Sequence, residues 1–206
     1  INRLAKNGQR YLFYTVSESI NRNLPVELAL LPFIESQFDP YAQSSTGASG
    51  IWQFILSTAR EQKLKKNWWY DGRRDIVAST GAAYDYLTKL HSKYDDWLLA
   101  IAAYNAGPNR ISKEIKKNLA KGLPTDFWSL NLPKETKAYV PKLLALVEVI
   151  KNPSKFSVDI PFLPNRPYFQ LVTLPSQVDL MQVANISGLK LAVSYTHLRA
   201  HETVLH

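Results

Sequence analysis

With 206 residues, 46% of them hydrophobic, the chain can bury one real core and carry a small appendage. Its 25 Lys and Arg against 17 Asp and Glu give a net charge of +8, which suits an acidic polymer of any kind: nucleic acid, anionic lipid, or a glycan bearing peptide carboxylates. The lack of cysteine excludes disulfides, a thiolate nucleophile and a thiolate metal site, and leaves the redox compartment open.

No run approaches the roughly 18 apolar residues of a membrane span, and the first residues carry no signal-peptide core. Since the sequence also starts without Met, it reads as a fragment whose export signal or anchor lies upstream. Residues 10–150 show helical periodicity nearly throughout, so the predicted class is mainly α. A first helix is expected over residues 7–21. A second follows Asn23, with Pro25 in its first turn and with Leu28, Leu31 and Glu35 on one face, and Pro32 should kink or shorten it. Residues 43–50 are too small and polar for core and read as an ordered loop. Thr58 and Glu61 suggest a capping box for a short helix. A longer helix follows Asp75, its stripe made by Ile76, Ala83, Leu87 and Leu90. Residues 97–106 are apolar almost all round, which marks the buried central helix, stopped by Gly107-Pro108. A basic helix over 109–119 follows, and Pro133 opens a last one ending near residue 150.

Beyond residue 152, Pro153, Pro161, Pro164 and Pro167 read as an extended linker, 168–174 as a strand and 179–189 as a short amphipathic helix. Three segments are expected: a main domain over 1–152, a linker with a partial module over 153–193, and a non-native tail over 194–206 that resembles translated adapter sequence. His197, His201 and His206 fall in that tail and are not taken as a metal site.

With only His91 left in the body of the chain, Cys-His and metal-cluster chemistry drop out, and no phosphate-cradling glycine motif is present. Glu35 stands apart. Helical register places it with Leu28 and Leu31, and a carboxyl turned inward is protonated more readily, as a general acid requires. On helix geometry alone, an ordinary ion pair to a nearby Lys or Arg is the stronger reading.

Three segments change that balance. Glu35-Ser36, then residues 47–54 (Gly-Ala-Ser-Gly-Ile-Trp-Gln-Phe), then 102–107 (Ala-Ala-Tyr-Asn-Ala-Gly) resemble, in order and spacing, the signatures of the soluble lytic transglycosylase-like family of the lysozyme-like superfamily. Residues 10–12, 25–32, 70–75 and 132–140 are similar to its membrane-bound murein transglycosylases. The resemblance covers about residues 10–150.

It implies a lysozyme-like helical fold and non-hydrolytic cleavage of the β-1,4 bond between MurNAc and GlcNAc, giving 1,6-anhydromuramoyl ends, with no cofactor and no metal. Glu35 takes the role of acid and then base. Ser36, Gly50, Gln53, Tyr104, Asn105 and Tyr139 take substrate-side roles: Ser36 beside the acid, Gly47 and Gly50 letting the backbone approach the sugar, Gln53 and Asn105 bonding N-acetyl or hydroxyl groups, and Tyr139 pointing at the carboxyl. Trp52 offers a stacking face or packs in the core, and Phe54 is expected in the core. Asp39 is expected to cap a turn. The family favours Pro where Leu56 stands, which should alter the loop and spare the chemistry. The implied partner is peptidoglycan glycan and not nucleic acid. A monomer in the periplasm is implied, anchored at the outer membrane through a missing N-terminus, and residues 179–189 resemble a fragment of a LysM repeat. Rival readings are a hydrolytic goose-type muramidase and a non-catalytic peptidoglycan-binding module.

Overall fold

A computed structural model describes residues 6–171 and, beyond them, Asp179, Met181, Gln182, Asn185 and Gly188. The α-helices given names here are α1 Leu12–Asn21, α2 Leu31–Ser36, α3 Leu56–Glu61, α4 Ile76–Tyr94, α5 Trp97–Ala106, α6 Pro108–Leu119 and α7 Lys134–Lys151. No strand occurs among the described residues, where only isolated bridges such as Gln43 with Ser49 and Ser49 with Phe54 form.

The expected helix over 7–21 is interrupted: residues 6–8 are helical, and a turn separates them from the rest. The chain turns at 9–11, where Gly8 lies against the Phe38 ring and accepts from the Tyr11 amide, so α1 starts only at Leu12. Pro32 acts as anticipated: lacking an N–H, it cannot continue a helix from Leu28, and the chain runs as a 3-10 turn over Val26–Leu30 before α2 restarts with Pro32 in its first turn. Pro25 precedes the 3-10 turn and does not lie inside it. The end of α2 is closed by Gln37 and Phe38, both in the left-handed region, whose amides reach back to Phe33 and Pro32 carbonyls. This tight stop leaves Glu35 in the last turn of α2. The capping box does not form, because Thr58 lies inside α3 and Ile55 precedes the helix without a side-chain cap. Asp75 and Asp96 do cap α4 and α5, accepting from the Ala78 and Leu99 amides.

The core gathers around α5, whose residues Leu99–Ala103 are all buried and which packs against α4, α6 and α7. Ala100, Ala102 and Ala103 are fully buried, and their small side chains let three helices approach one axis. Leu28 and Leu31 from the α2 segment, Leu87 and Leu90 from α4, Ile111 from α6 and Val140 and Leu143 from α7 complete it. After α7 a 3-10 turn over Pro153–Phe156 leads into irregular chain, with Phe169 against Tyr14 and Arg10 over the Tyr168 ring. The described part of the expected 168–174 strand is irregular. Its remainder, most of residues 179–189 and the tail histidines lie outside the described residues. No helix among the described residues is long and apolar enough to cross a membrane.

Candidate active site

The polar segment at 43–54 is an ordered loop, folded on itself by amide donation from Ser44 to Ala48, from Gly50 to Ala42 and from Ser49 to Phe54. Gly50 holds a φ of +81°, and a Cβ there would sit 1.8 Å from the Arg73 carbonyl oxygen, so the close approach that demands glycine is to protein backbone. Arg73 is the hub. The residue is 4% exposed, and its guanidinium pairs with Asp71 at 2.6 Å and donates to the carbonyls of Gly47 (2.8 Å) and Phe54 (3.2 Å). The hydroxyl of Ser36 points toward the Pro32 and Ile51 carbonyls, at 3.1 and 3.0 Å, and so ties the end of α2 to the same loop. Ser36 and Gly50 therefore build the frame on which the acid is mounted.

Glu35 is half-buried as a residue, and burial dominates the surroundings of its carboxyl. The Tyr139 hydroxyl, on the buried face of α7, donates to its Oε1. Burial pushes the Glu35 carboxyl from its ordinary 4.5 up to about 7. The Tyr139 hydrogen bond pulls it down against this, and the nearby negative charge of Glu135 adds to the rise. Among the described residues no cation pairs with Glu35, so the ion pair that helix geometry alone favoured does not form there. Tyr139 and Tyr104 are both pushed well above the ordinary tyrosine range, by burial first and then by the Glu35 charge, so both rings flank the acid as neutral hydroxyl groups. Tyr104, at the end of α5, donates to the Trp52 carbonyl at 2.8 Å and packs edge-on to Phe54.

Asn105 follows it with both ends of its amide committed: Oδ1 accepts from the buried Thr136 hydroxyl at 2.8 Å, and Nδ2 lies 3.4 Å from Glu135 Oε1. One N–H of Nδ2 is left over for a ligand. Gln53, held at a φ of +49°, donates from Nε2 to the Gly50 and Ala42 carbonyls at 2.7 and 3.3 Å, which leaves Oε1 as its accepting end. Trp52 is fully buried, donates to Thr80 Oγ1 and meets Tyr84 edge-on, so it offers no stacking face, and Phe54 is buried as expected. Asp39 accepts from the Tyr41 amide, the turn cap its position suggested. Leu56 occupies the first position of α3, where a proline also fits. Among the described residues no three acidic or histidine side chains gather as a metal site.

Arg73, Thr136 and Glu135 were not singled out from sequence. Arg73 lies within the charged run 71–75, and a cluster of alternating acids and bases beside a glycine turn is a usable signal for a buried hub. Thr136 carries no such signal.

The chain matches the family model of the Transglycosylase SLT domain over residues 15–125. It is 46% identical over 186 residues to membrane-bound lytic murein transglycosylase D of Escherichia coli K12, a match covering 90% of this chain and 41% of that protein. A second relative is membrane-bound lytic murein transglycosylase F of Desulfosudis oleivorans, 33% identical over 110 residues, covering 49% of this chain and 22% of that protein. Among solved structures, an inactive mutant of lytic transglycosylase Slt from Pseudomonas aeruginosa superposes with a TM-score of 0.51 at 28% identity, over 70% of this chain and 24% of that one. The chain thus spans less than half the length of these proteins.

Proposed function

Because the chain belongs to the Transglycosylase SLT domain family, we propose that its helical domain, residues 1–152, is a peptidoglycan lytic transglycosylase. The observation that carries this reading is Glu35: a half-buried residue whose carboxyl is pushed by burial to about 7 and held by a neutral tyrosine hydroxyl where an ordinary structural carboxylate has a cation. Such a group is protonated in a large fraction of molecules near neutral pH and gives that proton to the glycosidic oxygen as the bond breaks. The carboxylate so formed takes the proton of the muramic acid 6-hydroxyl, whose oxygen bonds to C1 and closes the 1,6-anhydro ring. An internal nucleophile has a high effective concentration and needs neither a positioned water nor a second carboxylate to direct it. Tyr139 keeps Glu35 in one orientation and lowers its pKa enough for the proton to leave. Asn105 presents its remaining N–H, and Gln53 its Oε1, to the acetamido and hydroxyl groups of the bound sugars. Tyr104 holds the motif loop against α5 beside the acid.

A peptidoglycan substrate fits a location in the bacterial cell envelope, on the periplasmic side, and the membrane-bound names of the protein's relatives support attachment to a membrane, which in our reading is the outer one. A monomer suffices for this chemistry. Mass spectrometry of the fragments released from purified peptidoglycan tests the reading: anhydromuramoyl ends are expected, reducing muramic acid ends would make the protein a muramidase, and no release would leave a binding module. Glu35→Gln is expected to fold and to lose nearly all release.

A further inference from the structure

Two indoles stand almost wholly in water. Trp68 is 89% exposed and Trp69 85%, side by side, and both sit on a rigid base. After α3, residues 65–72 form a miniature hairpin: the Gly72 amide donates to the Lys65 carbonyl at 2.8 Å, the Asn67 amide donates to the Tyr70 carbonyl, and Lys66 bridges Asp71. The Asn67 side chain accepts from the Trp69 and Tyr70 amides at 2.8 and 2.7 Å, which locks the tip that carries both tryptophans. The foot is locked as well. Tyr70 donates to Asp75, and Asp71 holds Arg73, whose guanidinium is bonded to the Gly47 and Phe54 carbonyls of the motif loop.

We propose that Trp68 and Trp69 form a second binding site for the peptidoglycan strand, outside the cleft, on which the flat apolar faces of pyranose rings stack. This rests on the transglycosylase reading of the Glu35 site. Three observations point to a glycan. The aromatic residues of the motif loop itself, Trp52 and Phe54, are spent in the core, so ring faces for sugars have to come from elsewhere. The hairpin and the loop that carries Gln53 are both hydrogen-bonded, through Asp71 and directly, to the buried Arg73 guanidinium, so the backbone that presents the indoles shares one support with the motif loop, and a backbone already ordered lowers the cost of binding. Lys63, Lys65 and Lys66 stand exposed within a few residues of the indoles along the chain, Lys66 also lying 3.9 Å from Asp71, and their positive charge is complementary to the carboxylates of peptide stems that hang from such a strand.

Cosedimentation with purified sacculi tests this, using the full chain carrying Glu35→Gln so that the polymer survives. Adding Trp68→Ala and Trp69→Ala is expected to weaken binding at least about ten-fold, and the paired Trp→Tyr variant to retain most of it. In the active chain, the double alanine variant is expected to lose at least about ten-fold more rate on sacculi than on a short soluble glycan. Unchanged sedimentation overturns the proposal, whatever the activity. Sedimentation unchanged while binding to phosphatidylglycerol vesicles is lost overturns it in favour of a lipid contact. Failure of the transglycosylase reading shows separately, as absent turnover by the parent chain.

Discussion

Replacing Glu35 by glutamine separates the cost of holding the acid from its use. In the unfolded chain the carboxyl titrates near 4.5, and in the folded protein near 7. Between those values the native state binds the proton and the unfolded state does not, so stability falls as pH rises, by about 1.4 kcal/mol per pH unit. Below about 4.5 both states are protonated and the group costs nothing; above about 7 the full penalty, roughly 3 kcal/mol, is in force. Glutamine is neutral throughout and can still accept from Tyr139, so Glu35→Gln is expected to match the parent at pH 4 and to exceed it by roughly 1–3 kcal/mol at pH 8, the lower figure allowing for solvent that reaches the carboxyl. In a domain of this size that is about 2–12 °C in Tm. Urea unfolding of both proteins from pH 4 to 8.5 measures it. A stability difference independent of pH would refute the claim that burial holds this carboxyl in its protonated form.

Tyr139→Phe removes the hydrogen bond that lowers the Glu35 pKa, so the alkaline limb of the pH-rate profile for release from peptidoglycan is expected to move to higher pH while the maximal rate drops. Thr136→Val frees the Asn105 amide to turn; the expected result is a raised KM for N-acetylated glycan and a weaker preference over de-N-acetylated glycan, with Thr136→Ser restoring both. Gly50→Ala drives a Cβ into the Arg73 carbonyl at a left-handed φ and should cost more than about 3 kcal/mol, whereas Gly47→Ala, equally left-handed with nothing within 4 Å, should cost about 1 kcal/mol. Urea unfolding of the two variants compares them.

Glu35 shows how far sequence carries. Its register with Leu28 and Leu31 and the pattern of elements from α4 to α7 were legible because helical period and capping residues act within a few positions: Asp75 starts a helix and Gly107-Pro108 ends one wherever they stand in a fold. The ordered motif segments added the family and, with it, the expectation that Glu35 is the acid. Local signals failed where a local rule had a tertiary competitor. The Thr58-Glu61 pair resembled a cap yet fell inside α3, and the first helix lost residues 9–11 to a turn beside Phe38, thirty positions away.

The chain's order of residues thus determined which groups are chemically able to act, and the tertiary structure decided what each of them touches. Tyr139 lies 104 positions from Glu35, Thr136 lies 31 from Asn105, and Arg73 lies 26 from Gly47, and no periodicity reaches over such separations. Only tertiary packing closes those distances, and only the resulting exclusion of water raises the Glu35 pKa toward neutrality, because desolvation is a property of the surroundings and not of the residue.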